Sequence, residues 1–257
     1  MAFVGRRAAR PSRSRVPTAG VVTCRFGVVG AAGTLAGVVL SGPFAVLLVE
    51  VTHPQPSWQG AEVFAAHVHP IQSMPYAGGL VLVSSLVVLV AALHELAAQA
   101  DRAIATAALV FSAAFASLIS FNYAVQTSFV PVLAQPYDRT NAALLSALTM
   151  SNPRSLAWAL EMWGWALFGV ATALLGNVFQ GGRVERYARL AFVANGPISV
   201  GGAALTCVEP GWVMTTWGIM MFALWNLLLA VMAVLALLVF RRRLGTGLDA
   251  NGARSLR

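Results

Sequence analysis

The chain has 257 residues, of which 58% are hydrophobic and only 10% charged, with a mean hydropathy of +0.73. Soluble domains carry roughly 25% charged residues, so this composition excludes an ordinary soluble protein and points to one integral membrane domain. The net charge of +8 would suggest nucleic acid in a soluble chain, but all seventeen basic residues are Arg and most gather at the ends of apolar runs, where they orient a membrane protein; no nucleic-acid partner is expected.

Residues 1–25 are basic, contain Pro and Ser, and lack an apolar run, so they read as a disordered cytoplasmic tail. Arg6-Arg7 raises the alternative of a twin-arginine signal. The following run has full spanning length and no clear cleavage site, which favours an uncleaved first helix. That first span is expected over Phe26–Val49. Gly33-x-x-x-Gly37 within it permits close helix approach, and Ser41-Gly42-Pro43 interrupts it.

Glu50–Pro75 is the longest outer segment and holds His53, His67 and His69 with Glu50 and Glu62. A short helix over Glu62–Val68 is expected to lie on the membrane. His and carboxylate are metal-ligand types, but His67-x-His69 diverges on a helix and no HExxH spacing is present, so no metal or cofactor is expected and the segment reads as a solvated loop or a lid over the outer pocket. The second span runs over Tyr76–Leu96. Near its inner end, His94 and Glu95 are sequence neighbours that should not face each other and read as interfacial residues.

The third span covers Ala103–Gln126. Asn122 and Gln126 lie four apart near its outer end, on one helix face with Tyr123 beside them. After a Pro-containing loop the fourth span covers Leu156–Phe179, in which Glu161 is the one charged residue. A carboxyl inside a span costs several kcal/mol unless paired or neutral, which makes Glu161 a candidate functional residue. It lies five residues into the span, about 7–8 Å at 1.5 Å per residue, at the depth of Asn122 and Gln126. Consecutive spans are usually neighbours, so an amide pair facing the carboxyl is the simplest arrangement. Trp158, Glu161 and Trp165 share one face, continued by Phe168 and Thr172, whereas Trp163 points elsewhere. The two indoles fit either an interfacial belt or the wall of a pocket for flat apolar ligands or cations. Arg154 is one or two turns from Glu161 and could reach down to pair with it.

The fifth span, Leu190–Cys207, is the weakest and is interrupted by Asn195-Gly196-Pro197. The sixth covers Thr215–Phe240, with Asn226 near its middle as an interhelical hydrogen-bonding residue. A basic cytoplasmic tail follows over residues 241–257, expected without regular structure from Leu244 on. Six spans put fifteen Arg on one side and only Arg139 and Arg154 on the other, so both ends of the chain are expected to be cytoplasmic. Cys24 and Cys207 then fall on opposite sides, and no disulfide is expected. No internal repeat relates the two halves.

The chain has no Walker A loop, paired-aspartate diphosphate motif, Gly-x-Ser-x-Gly elbow, Lys for a Schiff base, or mid-span His pair for haem. The expected fold is an all-α bundle of six transmembrane helices, multi-pass in a bacterial inner membrane. The leading functional reading is an outer-leaflet pocket for a lipid-like or other apolar small molecule. Glu161 would be its acid or anchor, Asn122, Tyr123 and Gln126 its polar neighbours, and Trp158 and Trp165 its wall. An enzyme of this kind would be an acid-initiated isomerase or cyclase of an isoprenoid-like substrate. The alternatives are a proton-coupled transporter or channel component, and a structural subunit that associates with a membrane-protein partner or with itself.

Overall fold

A computed structural model describes residues 18–255. Six helical segments are long and apolar enough to cross a membrane, and no strand occurs among the described residues. The protein is a multi-pass, all-α six-helix bundle. The segments are α1 (Thr18–Ser41) with α2 (Pro43–Thr52), α4 (Met74–Glu95), α5 (Arg102–Ala124) continuing into α6 (Val130–Ala134), α8 (Leu156–Leu175), α9 (Arg183–Val208) and α10 (Thr216–Ser255). Two short helices, α3 (Ala61–His67) and α7 (Ala142–Leu148), lie in the connections at one end. That end carries Arg139 and Arg154 and is called outer below. The segments contact in the order α1, α4, α5, α8, α9, α10 and back to α1, a closed ring in which each spanning segment touches its neighbours in sequence.

The ring closes because small residues line the α1 contacts. A Cβ on Gly30 would lie 2.6 Å from the backbone of Leu89, and one on Gly37 would lie 2.5 Å from that of Leu82. Gly33 faces Ser85, and Gly27 faces the Phe240 ring of α10. In lipid there is little hydrophobic drive between helices, so close backbone approach and dispersion supply the association. The expected packing role of Gly33 and Gly37 holds, and the seam extends a turn on either side. The aliphatic core also holds aromatic contacts, with Phe115, Trp165 and Phe168 mutually in contact and Phe179 against Phe192.

The span boundaries shift in ways the backbone chemistry explains. Pro43 cannot donate into α1, so the helix stops at Ser41 and restarts with Pro43 in its first turn. Pro197, by contrast, sits inside an unbroken α9, so the expected interruption of the fifth span does not occur and the helix begins seven residues earlier than Leu190. Of the tail expected over residues 1–25, Thr18–Arg25 already belongs to α1, and residues 1–17 lie outside the described residues. The C-terminal segment from Leu244, expected to lack regular structure, continues α10 as far as Ser255. Extending a formed helix adds one bond per residue fixed and avoids the cost of nucleation.

The inner end is tied by charge. Arg243 Nη2 pairs with Glu185 Oε1 at 3.1 Å across α10 and α9, and Arg102 Nη2 pairs with Glu95 Oε1 at 3.2 Å. His94 Nδ1 meets Glu95 Oε1 at 3.2 Å, contrary to the expectation for sequence neighbours. Glu95 is the last residue of α4, where the side chain is free to swing back. Cys24 and Cys207 are both free. At the outer end α3 forms close to the expected position and packs Phe64 against Val130, Ala134 and Leu145. Gln72 Nε2 straps this outer loop by donating to the carbonyls of His53 and His67, each at 3.0 Å.

Candidate functional site

Glu161 is 2% exposed and sits where α8 faces α5. Its Oε1 accepts the Tyr123 hydroxyl at 2.7 Å and the Trp165 indole N–H at 2.8 Å, and its Oε2 accepts the Asn122 amide at 3.1 Å. Local sequence makes this possible. Trp165 is one turn beyond Glu161 on α8, so the two side chains share a face. Asn122 and Tyr123 arrive from α5 at matching depth. The Tyr123 ring has room because Gly79 of α4 lies under it; a Cβ there would come within 2.3 Å of the ring. Asn122 Nδ2 also donates to the Ala157 carbonyl at 3.1 Å, which fixes the amide. Ser155 caps α8 by accepting the Trp158 N–H at 3.2 Å.

The structure therefore brings Asn122, Tyr123, Glu161 and Trp165 together. It does not bring Gln126 to Glu161. Gln126 donates from Nε2 to the Leu148 carbonyl at 2.7 Å and accepts the Met150 N–H on Oε1 at 3.1 Å, so it pins the connection before α8. The cause is a π-helical turn over Val125–Phe129. In an α-helix the Pro131 ring would clash with the Thr127 carbonyl and leave it unbonded; the wider turn relieves this and re-aims the residues it contains. Trp158 likewise turns away, donating its indole N–H to the Met150 carbonyl at 2.5 Å. Arg154 is exposed, and no ion pair with Glu161 occurs among the described residues, so the pairing weighed from sequence is not formed. Trp163 is 49% exposed and faces outward as expected.

Beyond Trp165 lies a cavity of about 530 Å³ between α8, α9 and α10. Trp165 and Met162 form its α8 wall, Trp212, Trp217 and Trp225 supply most of its aromatic surface, and Ser199, Gly201 and Gly202 leave the space on the α9 side. No atom would meet a Cβ on Gly201 within 4 Å. Glu161, Asn122, Gln126 and Trp158 do not line it. At its inner edge a polar ladder joins three helices. Trp225 Nε1 donates to Asn195 Oδ1 and Ser199 Oγ, both at 3.1 Å, and Asn195 Nδ2 donates to Thr172 Oγ1 at 2.9 Å. The Trp165 and Trp225 rings meet edge to face with centroids 4.7 Å apart, so each indole points its N–H into a polar cluster and its ring at the other.

Sequence reasoning passed over Trp225 and Ser199, and took Asn195 only as part of a helix break, because they lie on the last two spans and show no shared pattern. The signal that could have found the cavity is Ser199-x-Gly201-Gly202 on a helix followed by Trp212, Trp217 and Trp225. Asn226, expected to bond between helices, donates to the Phe222 carbonyl of its own helix at 2.9 Å. The interhelical contact is made by its neighbour Trp225 instead.

In the outer loop, His53 and His69 stack with ring centroids 3.5 Å apart, and His67 Nδ1 contacts the Val63 carbonyl at 2.9 Å. Among the described residues no three His, Cys, Asp or Glu side chains gather as metal ligands would. Asp138, in the turn before α7, accepts the Thr140 hydroxyl and the N–H groups of Thr140 and Asn141, which together hold its carboxyl below the usual carboxylate range.

The chain matches no protein-family model, no curated protein and no solved structure.

Proposed function

We propose that this multi-pass membrane protein binds a lipid-like apolar molecule in the cavity between α8, α9 and α10. The cavity itself carries the reading. Its volume of about 530 Å³ falls within the roughly 300–1,000 Å³ of small-molecule sites, and its walls are aromatic and aliphatic. The polar groups at its inner edge are satisfied by one another, so a bound molecule need bring no partner for them. Glu161 acts here as a positioning residue. It fixes Trp165, which forms the wall, without lining the cavity. An acid that protonates an alkene must reach the substrate, so the geometry favours binding over the isomerase or cyclase chemistry that the sequence alone suggested. The Arg distribution supports cytoplasmic ends, with the cavity in the outer half of the bundle.

The test is mass spectrometry of lipid extracts from the purified protein and from the Gly201→Trp variant. Gly201 faces open space, so the indole should fill the cavity with the bundle intact. The wild type is expected to carry an apolar molecule that the variant lacks. A variant that folds and retains the same molecule in the same amount would remove the basis for this reading.

A further inference from the structure

Above the Glu161 cluster, beneath the outer loop, lies a second cavity of about 30 Å³. It differs from the first in kind. Gln55, His69, Gln72, Ser73, Tyr76 and Gln126 bring polar groups to its walls, alongside the apolar Phe64, Val68, Val130 and Pro131. A water needs about 10–15 Å³, so the space accommodates water with several hydrogen-bonding partners. Gln55 Nε2 has no hydrogen-bond partner within the protein. Tyr76 lines this cavity and Tyr123 does not, so both rings stand between its space and Glu161. The Tyr76 ring lies against that of Tyr123 with centroids 5.8 Å apart, and Tyr123 donates its hydroxyl to Glu161 Oε1 at 2.7 Å. Gln126 reaches the cavity because of the π-helical turn, a feature frequent at functional sites.

We propose that Glu161 is a proton-binding site in exchange with the outer aqueous phase, reached through this polar cavity and Tyr123. Tyr76 rather than Tyr123 lines the cavity, so a water leaving it past Tyr76 gives the incoming proton to Tyr123 Oη as the phenolic proton passes to Glu161 Oε1. One O–H bond forms and one breaks at the tyrosine, and the net result is one proton added to the carboxylate. Every group within hydrogen-bonding distance of Glu161 is a neutral donor: Asn122 and Tyr123 from α5, and Trp165 from its own helix. The α4 side presents Tyr76, and α9 and α10 present the neutral Asn195, Ser199 and Trp225 behind Trp165. The ion pairs among the described residues all lie at the inner end, and none of them involves Glu161. His69 is the one histidine that lines the cavity. The inference does not depend on the apolar cavity or its occupant.

Infrared spectroscopy of the carboxyl C=O stretch in oriented proteoliposomes tests it, with Glu161→Gln identifying the band. Acidifying the outer medium alone should raise the protonated-carboxyl signal, whereas acidifying the lumen alone should not. Tyr123→Phe should slow the outer response by about 100-fold, the low end of what a positioned proton-transfer group contributes. Ser73→Leu, which fills the cavity without touching the Glu161 hydrogen bonds, should slow it in the same sense. A signal that never changes with outer pH, one that follows the lumen, or a wild-type rate in both variants would each overturn the proposal.

Discussion

Glu161 Oε1 accepts the indole N–H of Trp165 one helical turn away, at 2.8 Å, and the other side of that indole is the wall of the large cavity. The carboxyl thus sets the position of a surface it does not itself reach. Three donors converge on its two oxygens. An amide at this position cannot satisfy all three. Either its NH₂ opposes the Asn122 NH₂, or it opposes the Trp165 N–H. Glu161→Gln is therefore expected to cost about 1–3 kcal/mol through an unsatisfied buried donor. Pairing it with Asn122→Asp restores a donor–acceptor match, so the double variant should be more stable than the sum of the singles by roughly 0.5–3 kcal/mol. Thermal unfolding in detergent reads this coupling, and strict additivity would contradict the observed hydrogen-bond pattern.

Glu161 was legible in the sequence because a charge in an apolar run is costly wherever the helix faces, and counting depth along α5 and α8 was enough to find Asn122 and Tyr123. The six spans were legible for a similar reason: length and hydropathy decide a span with little help from context. Gln126 was misplaced because counting by four presumes α-helical geometry, and the π turn before Pro131 re-aims the side chain. Of the large cavity only the Trp165 wall was legible. The cavity exists because small residues on α9 meet tryptophans from α8 and α10, a relation between helices that no periodicity within one helix records. Arg154 was within reach of Glu161 along the chain, but three neutral donors already occupy the carboxyl.

The α1–α4 seam sets two opposing effects against each other. Alanine is favoured over glycine in a helix by about 1 kcal/mol. At Gly20, where nothing lies within 4 Å, that gain should appear as a small stabilisation. At Gly37 the added Cβ would lie 2.5 Å from the Leu82 backbone, which cannot rotate away as a side chain can. Gly37→Ala should force the helices apart and cost about 1–3 kcal/mol, more than the propensity gain. Equal effects at the two positions in an unfolding assay would show that the seam tolerates separation.

Pro131 is the reason for the π turn, so its removal has a local signature. Pro131→Ala restores an N–H for the Thr127 carbonyl and allows α-helical register. The two bonds by which Gln126 holds Leu148 and Met150 would be lost, at about 0.5–1.5 kcal/mol each. The gain in helix propensity of about 3 kcal/mol offsets this, so global stability should change little. The expected mark is faster hydrogen exchange at the Met150 amide, with the amides of α8 unaffected. Unaltered protection of Met150 would mean that the π turn does not depend on the proline.

Asp138 supplies a pH dependence with a definite sign. Its carboxylate accepts the Thr140 and Asn141 N–H groups at 2.6 and 3.2 Å, along with the Thr140 hydroxyl, and these bonds lower its proton affinity in the folded turn. A group with a depressed folded value stabilises the fold above its unfolded value, about 3.9 for Asp, and loses that contribution as pH falls through the lower folded value. The turn leading into α7 should therefore loosen only in strong acid, below the range in which an ordinary Asp titrates. Amide chemical shifts of Thr140 and Asn141, followed through an acid titration, report the transition. Asp138→Asn keeps a side-chain acceptor for the same N–H groups but cannot titrate, so its shifts should stay flat through that range. A transition that persists in the variant would assign the acid sensitivity to another group in the outer loops.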